Sequence, residues 1–144
     1  MEPRISIITL GVEDVARARQ FYEKGLGWHI SSVSNEQIVF IKTLGTILAL
    51  YPHHLLAEDA TVANIDIGTG FRRFTLAHNV PEPEMVSTFL NQAQQAGGKI
   101  VKPAQDTFWG GHSGYFSDPD GHLWEVAWNP YFGFSKEGSL LIPD

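Results

Sequence analysis

The chain contains no cysteine, which excludes disulfides, thiolate catalysis and cysteine-based zinc sites. It also lacks any apolar run near the roughly 18 residues that a membrane helix needs, so no membrane partner is expected. The opening Met1 to Val12 has no basic region, long apolar core or small-residue cleavage signal, and a cytoplasmic location is the expectation. Basic residues are few. Ten Lys and Arg stand against 16 Asp and Glu, a net charge of −6, and nucleic-acid binding needs the opposite balance. Arg72-Arg73 is too short to supply such a footprint and reads as a solvated turn.

What is present suits a globular protein. At 144 residues with 43% hydrophobic content, the chain can form one compact domain or two small halves sharing a core. The pattern favours halves. Ile5 to Val12 and Phe74 to Val80 are similar strands, both with a Thr-Leu centre. After the first, Asp14 can cap a helix with Val15, Ala18, Phe21 and Tyr22 at helical spacing, ending near Gly25-Leu26-Gly27. After the second, Pro83 suits a first helical turn and Val86, Phe89, Leu90 and Ala93 form a stripe, ending at Gly97-Gly98. Further strands are expected at Trp28 to Val33, Glu36 to Lys42, Thr46 to Tyr51, Lys99 to Lys102, Gly114 to Ser117 and Leu123 to Trp128. Each half is then β-α-β-β-β, an internal repeat. The modules span about 4–51 and 74–130, with a polar connector at 52–73 and a tail at 131–144.

The segment Asp118 to Val126, DPDGHLWEV, isolates one acidic residue on an apolar strand. Asp-Pro-Asp-Gly is turn chemistry. Beyond it His122, Trp124, Val126 and Trp128 point one way, and Leu123, Glu125 and Ala127 the other. Between Leu and Ala, Glu125 faces either water or a cavity; in a cavity it is an acid/base candidate.

The paired halves, with LGVEDVARARQFYEKGLGW (Leu10 to Trp28), FTLAHNV and VKPAQDTFWGGHSGYFSDPDGHLWEVAWNP (Val101 to Pro130), resemble the vicinal oxygen chelate superfamily. That group holds glyoxalase I, bleomycin-resistance proteins and extradiol dioxygenases, and the closing phrase is similar to its glyoxalase-like subgroup. The resemblance implies an α+β fold of two tandem βαβββ modules, curled into a mixed-sheet cup with helices outside. It also implies, for catalytic members, a divalent metal held by four inward side chains. Here those positions fall on Ile7, Ala49, Thr75 and Glu125. A hydrocarbon cannot coordinate and a neutral Thr hydroxyl is a poor ligand, so the expectation is no metal and no cofactor.

The six histidines do not rescue a metal site by spacing. His53-His54 follow Pro52 and read as loop residues; His78 faces away from the cup; His122 sits in the turn. His112 lies in the glycine-rich loop Thr107 to Tyr115, where Phe108 and Trp109 either plug the core or face a ligand.

The expected site therefore has Glu125 and His112 as its acid/base pair, with Ile7, Thr9, Tyr51, Thr75, Phe108, Trp109 and Tyr115 around a small, partly apolar ligand. Sequestration of a toxic compound, as in the bleomycin-resistance branch, is one form of this reading. Two alternatives stay open. One is a lyase or isomerase with Glu125 as general base and His112 as acid. The other is a metal-dependent glyoxalase or dioxygenase with a shifted ligand set. A homodimer is expected, because curled sheets leave apolar rims that a second copy covers.

Overall fold

The computed structural model describes residues 3, 5–61 and 73–143, and the chain separates into two units, Met1–Arg73 and Phe74–Asp144. Both are α+β. In the first, β1 (Ile7–Val12) runs parallel to β3 (Ile47–Pro52), which runs antiparallel to β2 (Val39–Lys42). Strand alternation sends Leu10, Val12, Val39, Ile41, Leu48 and Leu50 into the core, each nearly inaccessible. Full burial of one such side chain contributes about 1.5–3 kcal/mol, so this short sheet depends on all of them.

Helix α1 (Val15–Gln20) begins where expected, with Asp14 Oδ1 accepting from Arg17 N at 3.0 Å. It continues as a π turn, Phe21–Gly25, in which Leu26 N donates to Phe21 O. Phe21 and Tyr22, adjacent in sequence, are both fully buried there, with their rings perpendicular at 5.0 Å. The strand expected at Trp28 to Val33 does not form. Trp28 N is drawn to Tyr22 O at the end of the π turn, which leaves one isolated bridge, Ile30 to Ile41. Glu36, Gln37 and Ile38 are also lost from β2, because Asn35 Oδ1 accepts from Gln37 N and Ile38 N in a side-chain turn.

A second correction concerns His53-His54. They are not loop residues but open α2 (His53–Asp59), which packs on β1 and β3 with His53 against Gly11. Gly68-Thr69-Gly70 and Arg72 of the connector lie outside the described residues.

The second unit follows the β-α-β-β-β order more closely. Its sheet runs β4 (Leu76–Asn79), β7 (Leu123–Trp128), β6 (His112–Ser117), β5 (Lys99–Asp106), with only the β4–β7 pair parallel. Helix α3 (Glu84–Gln95) lies over β5, β6 and β7 and buries Val86, Leu90 and Ala93, while Phe89 is half-buried against the His78 ring. Phe74, expected to open this strand, precedes β4 and is exposed. Strand β5 runs four residues beyond the expected Lys102, through Pro103, and absorbs that proline by bulging.

The acidic turn is more than a loop. Asp118 is buried and its Oδ1 accepts from Asp120 N and His122 N, while its Oδ2 lies 2.9 Å from the buried His122 Nδ1. His122 is therefore a core residue held by Asp118. The tail adds a two-residue hairpin, β8 (Gly133–Phe134) with β9 (Leu140–Leu141). Among the described residues, no helix is long and apolar enough to cross a membrane.

Candidate functional site on the second sheet

The open face of the second unit's sheet carries a cleft of about 270 Å³. Its floor is set by alternation and register. Tyr115 on β6 stands directly opposite Glu125 on β7, and Ser113 opposite Ala127. Tyr115 and Glu125 are both half-buried; Ser113 is only 2% exposed. Burial and the neighbouring Glu125 carboxylate, which also accepts its hydrogen bond, push the Tyr115 phenol above its ordinary range. The phenol therefore remains a proton donor through neutral pH.

Strand β5 supplies the third wall. Its register slips between Ile100 and Lys102, and again between Lys102 and Gln105, so Lys102 comes opposite Tyr115 and Gln105 opposite Ser113. Bulges of this kind re-aim side chains. The Lys102 ammonium lies 5.8 Å from the centre of the Tyr115 ring.

The β5–β6 loop closes one end. Thr107 N donates to Gly111 O at 2.9 Å, and Gly111 N donates to Thr107 Oγ1 at 3.1 Å. The Trp109 ring occupies the space a side chain at Gly111 would need, which fixes the indole at the cleft. Phe108, at the tip, is fully exposed. The loop is thus a tied turn rather than a free flap.

Of the residues singled out from the sequence, Glu125, Tyr115, Phe108 and Trp109 line this cleft together. His112 does not. It begins β6, and alternation sets it on the α3 face with Gly114; its Nδ1 lies 2.8 Å from Asp106 Oδ1, and only Asp106 reaches the rim. Ile7 and Thr9 are exposed on β1, Tyr51 is half-buried on β3, and Thr75 is exposed ahead of β4. Lys102, Gln105, Asp106, Thr107 and Ser113 were not anticipated. Ser113 shares strand parity with Tyr115 and could have been found that way; the β5 residues could not, because bulges break parity.

The family model for the Glyoxalase/Bleomycin resistance protein/Dioxygenase superfamily matches residues 4–126. The chain belongs to this superfamily. A glyoxalase-related enzyme from Fulvimarina pelagi is similar over 99% of this chain and 100% of its own, at 34% identity and a TM-score of 0.89. A glyoxalase/bleomycin resistance protein/dioxygenase from Nocardioides is 26% identical, with a TM-score of 0.73, over 89% of this chain and 84% of its own. A lactoylglutathione lyase from Agrobacterium tumefaciens, at 18% identity and a TM-score of 0.66 over 92% of this chain and 98% of its own, shares the fold. No curated protein matches the chain.

Metal-holding members of this superfamily draw their donors from the parallel strand pairs. In this chain Thr9 stands opposite Ala49, and Ala77 opposite Glu125. Shifting the opening strands by one same-face step brings in Ile7 and Thr75. Either way the donors are one carboxylate and one neutral hydroxyl, which do not fit a divalent transition metal. No group of three His, Asp or Glu side chains comes together among the described residues.

Proposed function

We propose that this superfamily member binds a small, partly apolar molecule in the second unit's cleft, without a metal. The carrying observation is the Tyr115–Glu125 pair inside a space of about 270 Å³, bordered by the Trp109 indole. That volume sits at the small end of ligand pockets, roughly 300–1,000 Å³, and suits a molecule of one ring or a short chain. Phenol and carboxylate orient its polar end, and the indole covers its apolar part.

A second reading, a lyase or isomerase, is favoured by the same pair. Glu125 can accept a proton from a bound substrate while Tyr115 holds the carboxylate in place and donates to it. On this reading Glu125→Gln abolishes turnover, because the amide cannot accept the proton. We also propose a cytoplasmic location and a homodimer, the latter supported by exposed apolar surface at Ile7 and Ile142 for a second copy to cover.

The test combines metal analysis of purified protein, thermal melts with and without chelator, and a ligand screen followed by NMR of the Trp109 indole. Unchanged melts and a chelator-insensitive ligand that shifts Trp109 are expected. One tightly held transition metal per chain, or ligands that bypass Trp109, would overturn the reading.

A further inference from the structure

Charges in the cleft are unequally satisfied. Glu125 accepts the Tyr115 hydrogen bond, and Asp106 is paired with His112 Nδ1 at 2.8 Å. Among the described residues, Lys102 is the only cation lining the space. It is half-buried and makes no ion pair among the described residues; its recorded neighbour is the face of the Tyr115 ring. Two register slips in β5 bracket this residue and turn it toward Tyr115. The backbone that makes them, Lys102 O and Ala104 N, is seated where a side chain at Gly114 would stand. The strand gives up regular pairing on both sides of one ammonium, and that ammonium faces a cleft in which Glu125 is hydrogen-bonded to Tyr115 and Asp106 to His112.

We infer that the cleft selects small organic carboxylates, with Lys102 as the residue that binds the ligand's anionic group beside the Tyr115–Glu125 pair and the Trp109 indole covering its apolar part. This rests on the binding reading above and adds the ligand's class to it. A carboxylate placed at Lys102 replaces water around a half-buried ammonium with a charge-assisted hydrogen bond. Gln105, which follows the second slip on the same wall, supplies an amide donor beside it. A neutral amide loses the ionic part of that contact. An amine of the same shape meets like charge.

The experiment titrates the full chain with two matched trios: benzoate, benzamide and benzylamine, and butyrate, butyramide and butylamine. Amide and indole NMR shifts of Lys102, Tyr115 and Trp109 report occupancy. The acid of each trio should bind about tenfold more tightly than its amide, and more weakly as salt rises, as one charge-assisted contact requires. Lys102→Met should remove that preference and Lys102→Arg should keep it. Amides or amines that shift Trp109 as well as the acids do would overturn the carboxylate inference and leave the binding reading standing. So would acids whose affinity survives Lys102→Met in a variant with an unchanged fold. If no member of either trio perturbs the cleft, both the inference and the binding reading fail.

Discussion

Glu125 and Tyr115 stand directly opposite each other on β7 and β6, and the phenol donates its hydrogen bond to the carboxylate. The pair makes Glu125 a held group rather than a solvated one, and it makes Tyr115 a donor that resists ionisation. Removing the charge while keeping the volume separates their roles. Glu125→Gln should shift stability by no more than about 1 kcal/mol and weaken or abolish the site's activity toward its ligand. Thermal melts and ligand titration check this. A strongly destabilised variant with intact binding would make Glu125 structural.

Asp118→Ala should be among the most damaging single changes. Asp118 and His122 are both buried, and the carboxylate also accepts two backbone N–H groups of its turn. Breaking a buried pair by removing one partner costs about 3–5 kcal/mol. Urea unfolding should show that loss, and the variant should be no more stable than one lacking His122 alone, because the two turn N–H groups lose their acceptor as well.

Gly114→Ala tests the packing behind the cleft. A Cβ at this position would lie 2.5 Å from Leu90 Cδ1 and 2.8 Å from Lys102 O. Leu90 can adjust, but the strand backbone cannot, so a loss of about 1–3 kcal/mol is expected. The Lys102 amide resonance should move with it, because the bulge is what the new methyl displaces.

His78 makes acid stability readable. Burial lowers its pKa, which favours the neutral ring beside Phe89. The unfolded chain then binds a proton that the folded chain refuses. Stability is therefore full above the ordinary histidine value, about 6.5, and falls as pH drops below it. His78→Phe should flatten that fall between about pH 6.5 and the range where carboxylates titrate, measured by denaturant unfolding at each pH.

Much of this architecture was legible before any coordinates. Asp14 as a cap, the α3 stripe Val86, Leu90 and Ala93, and the Leu123–Trp128 strand all follow from periods of 3.6 and 2, which are local properties of the chain. So did the isolation of Glu125 on its strand face. The strand at Trp28 to Val33 was misread because a π turn, which no apolar period announces, captures Trp28 N instead. Helix α2 was hidden by a histidine pair and a proline that look like loop chemistry.

The site divides along the same line. Sequence alone determined that Ile7, Thr9, Ala49, Thr75 and Ala77 carry no imidazole or carboxylate, and side-chain identity decides what can coordinate whatever the fold. It also determined that Glu125 would be the exceptional acid on β7. Only the tertiary structure decided which neighbours Glu125 has. His112 turns to the α3 face because β6 begins two residues before the expected Gly114 and so includes it, and Lys102 turns to the cleft because β5 slips twice. Register across strands depends on bulges and on what packs behind them, here α3 against Gly114, and that is non-local information a single strand's pattern does not contain.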